Sequence, residues 1–129
     1  MKVKTFFCDL DGTLVKHPGG DSILRVMDPN HKLQLLDGAE EFLKWIDYHR
    51  HHLVITTGRK ESCREATEKQ LQNAGIWYDQ LIMGFGGSDR VLINDRKSDG
   101  KRNTAYAINL IRNKGLSYYK FDESNLNTL

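Results

Sequence analysis

The stretch VKTFFCDLDGT, residues 3–13, is an apolar run that ends in two acids, Asp9 and Asp11. An apolar run of this length, followed by the turn-forming Gly12, predicts a buried strand over residues 3–10. Carboxylates two residues apart on a strand point to the same side, and Gly12 lets backbone N–H groups approach a ligand closely. The stretch therefore predicts a strand that presents two carboxylates at its carboxyl end.

The rest of the chain alternates short apolar runs with longer amphipathic ones, which is typical of an α/β fold with a largely parallel sheet. We predict a single three-layer, doubly wound domain over residues 1–129, with a mainly parallel five-stranded sheet. The further strands are predicted at 53–57, 80–83, 90–94 and 117–121, and helices after Asp37 and at about 60–73 and 103–113. Residues 14–37 are expected to form a small flap, and residues 122–129 a frayed tail.

Composition limits the classes of function. A chain of 129 residues suits one domain, and 39% hydrophobic with 28% charged residues is ordinary for a globular protein. No apolar stretch approaches the roughly 20 residues that span a bilayer, and the start lacks signal-peptide features, so we expect a cytoplasmic protein without a membrane partner. The net charge of +2 does not call for a nucleic-acid surface. Cys8 and Cys63 form no metal or redox motif and are expected to be reduced packing residues.

Two further predicted strands also end in polar residues, Thr57-Gly58 and Asn94-Asp95. Ligands of open parallel sheets bind outside the carboxyl ends of the strands, so these residues are expected to meet Asp9 and Asp11. Neighbouring acids repel unless a cation lies between them, and oxygen ligands favour Mg²⁺. We therefore predict a magnesium site formed by Asp9, Asp11 and Asp95, with Asn94 and Asp99 supporting it.

Each element also has a simpler interpretation. The two acids at 9 and 11 could belong to a solvated Asp-Gly turn, Asn94-Asp95 could cap a helix, and Thr57-Gly58-Arg59 could be an ordinary strand–helix turn. The histidines at 49, 51 and 52 are expected to be structural, since consecutive positions do not share a helix face. The basic residues at 96, 97, 101 and 102 are expected to form a solvated face.

Together the motifs resemble those of the haloacid dehalogenase (HAD) superfamily of phosphotransferases, compact and without a large cap. Residues 9–13 match its DxDGT motif, Thr57 before Gly58 matches its second motif, and residues 94–99 resemble its acidic fourth motif. The resemblance implies a Mg²⁺-dependent phosphomonoester hydrolase with an open site or a small flap. Its substrate would be a small phosphorylated molecule or a macromolecular phosphate end, and an oligomer is compatible with the open site.

The resemblance also implies roles for individual residues. Asp9 would attack phosphorus and form an aspartyl-phosphate, and Asp11 would act as general acid and then general base. Magnesium would be held by Asp9, the Asp11 backbone carbonyl and Asp95. Gly12, Thr57 and Gly58 would bind the phosphoryl group.

One departure concerns the third-motif cation, which the family places near the position of Phe85. The chain offers GFGGS there, and Arg90 is the nearest cation, with Lys97 and Lys101 further along. We assign the role to Arg90. Two alternatives stay open: a catalytically weak phosphate-binding or regulatory domain that lost this cation, and a receiver-like phospho-acceptor domain, which DGT fits poorly.

Overall fold

The structure is a computed structural model that describes residues 2–20, 22–97 and 99–129, with the side chain of residue 22 left out. Within those residues, no helix combines the length and apolar character needed to cross a bilayer.

A three-stranded parallel sheet forms the centre of the molecule. Its strands are β1 (Thr5–Asp9), β2 (His52–Thr56) and β3 (Gln80–Ile82), in the order β1-β2-β3. The register places the last residue of β1, Asp9, beside Thr56 of β2. The prediction of an α/β fold with a parallel sheet is confirmed, and the first three predicted strands lie where the sequence placed them.

Four helices are present in the described residues. They are α1 (Ser22–Met27), α2 (Ala39–Tyr48), α3 (Arg64–Asn73), which a 3₁₀ turn at Glu61–Cys63 precedes, and α4 (Glu123–Leu126). The core lies where α2 and α3 meet the sheet. Its fully buried members include Leu10, Leu14, Ile46, Leu53, Ile55 and Leu71.

The prediction of a five-stranded sheet is wrong for this structure. No strand or helix lies within residues 83–97 or 99–122, so the strands predicted at 90–94 and 117–121 and the helix predicted at 103–113 are absent. Val91 and Ile93 are 85% and 91% exposed. A β-branched run forms a strand only when neighbours cover it, and a helix of about 11 residues is marginal without packing.

The tail, which was expected to fray, contains a short helix, α4. The carboxylate of Asp122 accepts a hydrogen bond from the backbone N–H of Asn125 at 2.8 Å, which is the usual N-cap interaction. Leu126 is 1% exposed, and Phe121 packs against Phe42 of α2 with ring centroids 4.8 Å apart. Apolar contact and one cap therefore hold the last helix.

The segment predicted as a flap begins and ends in backbone pairing. The N–H of Lys16 donates to the carbonyl of Gln34, and the N–H of Leu36 donates to the carbonyl of Leu14, both at 2.9 Å. Leu14 is fully buried. The segment therefore leaves and rejoins the core at one place, with α1 on the excursion between.

Candidate active site

The end of β1 holds the two acids of the DLDGT stretch. Leu10 between them is fully buried, and its carbonyl accepts hydrogen bonds from the backbone N–H groups of residues 13, 14 and 15 at 3.0–3.2 Å. The N–H of Gly12 donates to the carbonyl of Val15 at 2.7 Å, with Gly12 at φ +89°, where an L side chain would be strained. The anchored leucine and the glycine turn fix Asp9 and Asp11 on one side of the strand end.

Asp9 is exposed, and its carboxylate accepts hydrogen bonds from the Thr13 hydroxyl at 3.3 Å and from the backbone N–H of Leu10. The protein around the carboxyl group removes water from it, and this desolvation raises the pKa of Asp9. The Thr13 bond and the positive charge of Arg90 oppose the rise, while the charge of Asp11 adds to it. An accessible carboxylate in this setting suits nucleophilic attack.

Asp11 is held by Arg59 in a two-pronged ion pair. The Arg59 Nε donates to Asp11 Oδ2 at 2.9 Å, and Nη2 donates to Asp11 Oδ1 at 2.8 Å. The Arg59 side chain is 4% exposed and that of Asp11 16%. Bidentate pairs of this kind fix orientation as well as charge. A carboxylate has about four lone-pair positions, so Asp11 keeps acceptor capacity on the side away from Arg59.

Sequence reasoning missed this use of Arg59. The guanidinium lies inside the protein, where its Nη1 also donates to Thr67 Oγ1 at 3.2 Å and to Gln70 Oε1 at 2.8 Å. Thr67 and Gln70 are 0% and 1% exposed. Two polar residues on the inner face of α3 were the available signal, because buried polar side chains need partners.

Thr57 and Gly58 follow β2 and precede Arg59, the residue that holds Asp11. Thr57 is 1% exposed, and its hydroxyl oxygen accepts the backbone N–H of Arg59 at 3.1 Å. A Cβ on Gly58 would overlap the backbone of Gly86, so the glycine allows the two loops to touch. The structure thus uses the Thr57 hydroxyl to build the turn, and its phosphate-binding role stays a prediction.

Arg90 is the predicted third-motif cation. It is exposed, its guanidinium lies 5.3 Å from the centre of the Phe85 ring, and it donates to the carbonyl of Ser88. Its charge lowers the pKa of Asp9, which puts Arg90 within electrostatic reach of that carboxylate. No comparable effect on Asp9 comes from Lys97 or Lys101.

Asp95 lies on the irregular segment after β3. Its backbone carbonyl accepts from the Thr104 hydroxyl and from Asn94 Nδ2, and Asn94 also bonds Thr104 Oγ1 at 2.8 Å. The Asp99 carboxylate accepts the N–H of Lys101 at 2.9 Å. Asn94 and Asp99 are therefore engaged in local hydrogen bonds.

The predicted third magnesium ligand, Asp95, is not grouped with Asp9 and Asp11 among the described residues. Over residues 2–20, 22–97 and 99–129, no three His, Cys, Asp or Glu side chains are grouped so that they could hold a metal ion. Asp95 therefore does not join Asp9 and Asp11 in this arrangement, because the strand that was to carry it there does not form. The structure brings together the first two predicted ligands and leaves the third apart.

Comparisons with known proteins add a likeness of structure. No protein-family profile and no curated protein matches the chain. Two solved structures of the Pnkp1/Rnl/Hen1 complex, the first an RNA repair complex, contain a chain similar to this one. The identities are 31% and 28%, and the TM-scores 0.53 and 0.52. The chain resembles part of an RNA repair complex.

The match covers 63% and 69% of this chain but only 25% and 30% of the other, so this chain spans less than a third of the length of the chains it matches. A phosphatase is also among the structural neighbours: D,D-heptose 1,7-bisphosphate phosphatase from B. bronchiseptica, with magnesium and phosphate. It is 17% identical with a TM-score of 0.46, and the match covers 67% of this chain and 52% of the phosphatase.

Proposed function

We propose that the chain is a HAD-like phosphomonoester hydrolase that uses Asp9 as nucleophile and Asp11 as general acid and base. The observation that carries the proposal is the pair itself: an exposed carboxylate at the end of β1, two residues from a second that Arg59 holds by two hydrogen bonds. The DLDGT motif and the 31% identity to a chain of an RNA repair complex support it.

The reaction follows from these positions. A carboxylate oxygen of Asp9 attacks phosphorus, and the bond from phosphorus to the leaving oxygen breaks. Asp11, protonated at a lone pair that Arg59 leaves free, gives that proton to the leaving oxygen. Asp11 then takes a proton from water, whose oxygen attacks the aspartyl-phosphate and releases inorganic phosphate from Asp9. Splitting one transfer into two steps lowers each barrier, and alignment of the groups supplies much of the rate.

Magnesium dependence belongs to this proposal through Asp95. The apolar run of residues 91–93 is exposed, and within the described residues β1 has a neighbouring strand on one edge. Pairing of that run with the other edge of β1 would bring Asp95 to the strand end that carries Asp9. Bound magnesium would neutralise negative charge at the site.

The proposed substrate class starts from the neighbour. One of the matched chains belongs to an RNA repair complex. We therefore propose a phosphorylated RNA end as the first macromolecular substrate to test. Small sugar phosphates and nucleotides are the other class. Arg90 near Asp9 would bind the anionic phosphoryl group of either one.

Turnover of an aryl phosphate tests the hydrolase directly. We expect activity with magnesium, its loss on chelation, and losses in both Asp9→Asn and Asp11→Asn. The matched control is Asp47→Asn, since Asp47 is an exposed acid on α2 and its removal should leave turnover unchanged. Full activity in Asp9→Asn would reject the proposal.

A second candidate function is a phosphate-binding or regulatory domain. The Thr57 hydroxyl favours a catalytically weak site, because it is buried and already accepts the backbone N–H of Arg59. Calorimetry separates the two functions: binding of magnesium and phosphate, without turnover of any ester in a broad panel, would identify the regulatory domain.

A further inference from the structure

A buried chain of hydrogen bonds leads from the active-site acid to the flap. It begins at the Asp11–Arg59 ion pair and passes to Gln70, whose Oε1 accepts from Arg59 Nη1 at 2.8 Å. The Gln70 amide then turns to the opposite side, where Nε2 donates to backbone carbonyls of Arg25, Val26 and Asp28 at 2.9, 3.3 and 2.7 Å. Gln70 thus contacts Arg59 on one side and, on the other, carbonyls that lie 42–45 residues before it in the sequence.

The three carbonyls lie where α1 ends. The last carbonyls of a helix have no partner within it, and α1, with six residues, has too few turns to be stable alone. The Arg25 side chain also donates to the carbonyl of Pro18 at 2.6 Å, which ties residues 18–28 to one another. Gln70 therefore fastens the end of α1, and with it the outer part of the flap, to the inner face of α3.

The burial of the connection gives it energetic weight. Gln70 is 1% exposed, Thr67 0% and Arg59 8%, so a lost bond would leave a polar group without water to replace it. Such orphaned groups are costly, and more so beside a charge. The hydrogen bonds from Arg59 Nη1 to Thr67 and Gln70 therefore orient the guanidinium group that binds Asp11.

We infer that Gln70 is a positioning residue that couples seating of the flap segment 25–28 to the orientation of Asp11 through Arg59. A substrate that touches the flap would then affect the acid that serves its leaving group. The kinetic part of this inference rests on the proposed function, whereas the coupling of flap to Gln70 is a physical property of the folded chain.

The test uses Gln70→Leu and Gln70→Glu in the full chain. Gln72, exposed on the same helix, provides the matched controls Gln72→Leu and Gln72→Glu. Gln70→Leu removes both connections. Gln70→Glu keeps an acceptor for Arg59 but cannot donate to the carbonyls, so it breaks the flap side alone and serves if the leucine variant fails to fold.

Amide hydrogen exchange over residues 23–31 and steady-state kinetics are the two measurements. We expect both Gln70 variants to exchange about tenfold faster over this segment, and kcat for an aryl phosphate to fall about tenfold in Gln70→Leu with KM changed less than about threefold. The Gln72 variants should match the wild type. Unchanged exchange in both Gln70 variants would overturn the coupling, whether or not the protein is an enzyme.

Faster exchange with a wild-type kcat in Gln70→Leu would overturn the positioning role. Absence of turnover in the wild type itself would reject the proposed function, and the exchange data would still decide the coupling.

Discussion

Two stretches of this chain carry the same signal and have different structures. Residues 5–9 form β1, pair with β2 along their whole length and end at Asp9. Residues 91–93 are also apolar and lead to Asp95, yet the side chain of Ile93 is 91% exposed and no strand forms there.

The difference teaches that an apolar run needs a partner before it becomes a strand. β1 pairs with β2. In addition, the ring of Phe6 in β1 packs against the rings of Phe42 and Trp45, at centroid distances of 5.9 and 5.6 Å. Strand propensity largely measures such packing. The run at 90–94 has no comparable partner, so the acid that follows it is not brought to the site.

The largest expected effect compares the acids that follow the two stretches. We expect Asp9→Asn to lower kcat at least about 1,000-fold, because the nucleophile is lost. Asp95→Asn should lower turnover at limiting magnesium at least about tenfold, with recovery as magnesium is raised, since ligand-shell changes weaken metal binding by this order. Steady-state rates over a magnesium titration measure both.

Wild-type rates in Asp95→Asn at every magnesium concentration would show that the second stretch plays no part in catalysis. The proposed pairing of residues 90–94 with β1 would then be withdrawn.

The next effect concerns the buried Arg59–Asp11 ion pair beside β1. Arg59→Met should destabilise the fold by about 3–5 kcal/mol, because it leaves Asp11 half-buried without its partner. Arg50→Met, at an exposed arginine, should change stability by less than about 0.5 kcal/mol. Urea unfolding measures both. A loss in Arg59→Met no larger than that of Arg50→Met would contradict the buried pair.

Two isoleucines give a matched pair across the comparison. Ile55 of β2 is fully buried and Ile93 is exposed. We expect Ile55→Ala to cost about 2–5 kcal/mol, as deletions from a packed core do, and Ile93→Ala to cost less than about 0.5 kcal/mol. Equal losses in denaturant unfolding would mean that residues 90–94 are packed in solution.

The smallest effect is a pH dependence of folding stability that comes from His51, next to β2. Burial lowers the pKa of His51, with the charge of Lys4 as a further cause, and its Nδ1 accepts the backbone N–H of Lys4 at 3.0 Å. The folded state therefore favours neutral His51. Stability from this group is present above its ordinary pKa of about 6.5 and is lost as pH falls below it.

His51→Asn, whose side-chain oxygen can accept the same N–H, should lose less stability than the wild type between pH 7.5 and pH 5. Melting curves at the two pH values measure this difference of about 1 kcal/mol or less. A larger acid loss in the variant would show the sign to be wrong.

How far the sequence predicts this molecule depends on where the deciding contacts lie. β1 to β3, α2 and α3 follow from local patterns, and Asp9 and Asp11 follow from a five-residue motif. The Arg59–Asp11 pair joins positions 48 residues apart, and Gln70 looks in sequence like any polar helix residue. Only the packed structure shows those partners.

The failure at residues 90–113 has a different cause. Their local patterns are sound, since Val91, Leu92 and Ile93 are good strand residues. Whether the run pairs depends on a free edge and on burial of the side chains, and a one-dimensional pattern contains neither.

Trapping of the reaction intermediate tests the central claim that Asp9 is the nucleophile. The enzyme is mixed with a phosphate ester, quenched and treated with borohydride, which reduces an aspartyl-phosphate to homoserine, and the peptides are identified by mass spectrometry. We predict homoserine at position 9 of the wild type and none in Asp9→Asn. Turnover by the wild type with an unmodified Asp9, or with the label on another acid, would contradict the account.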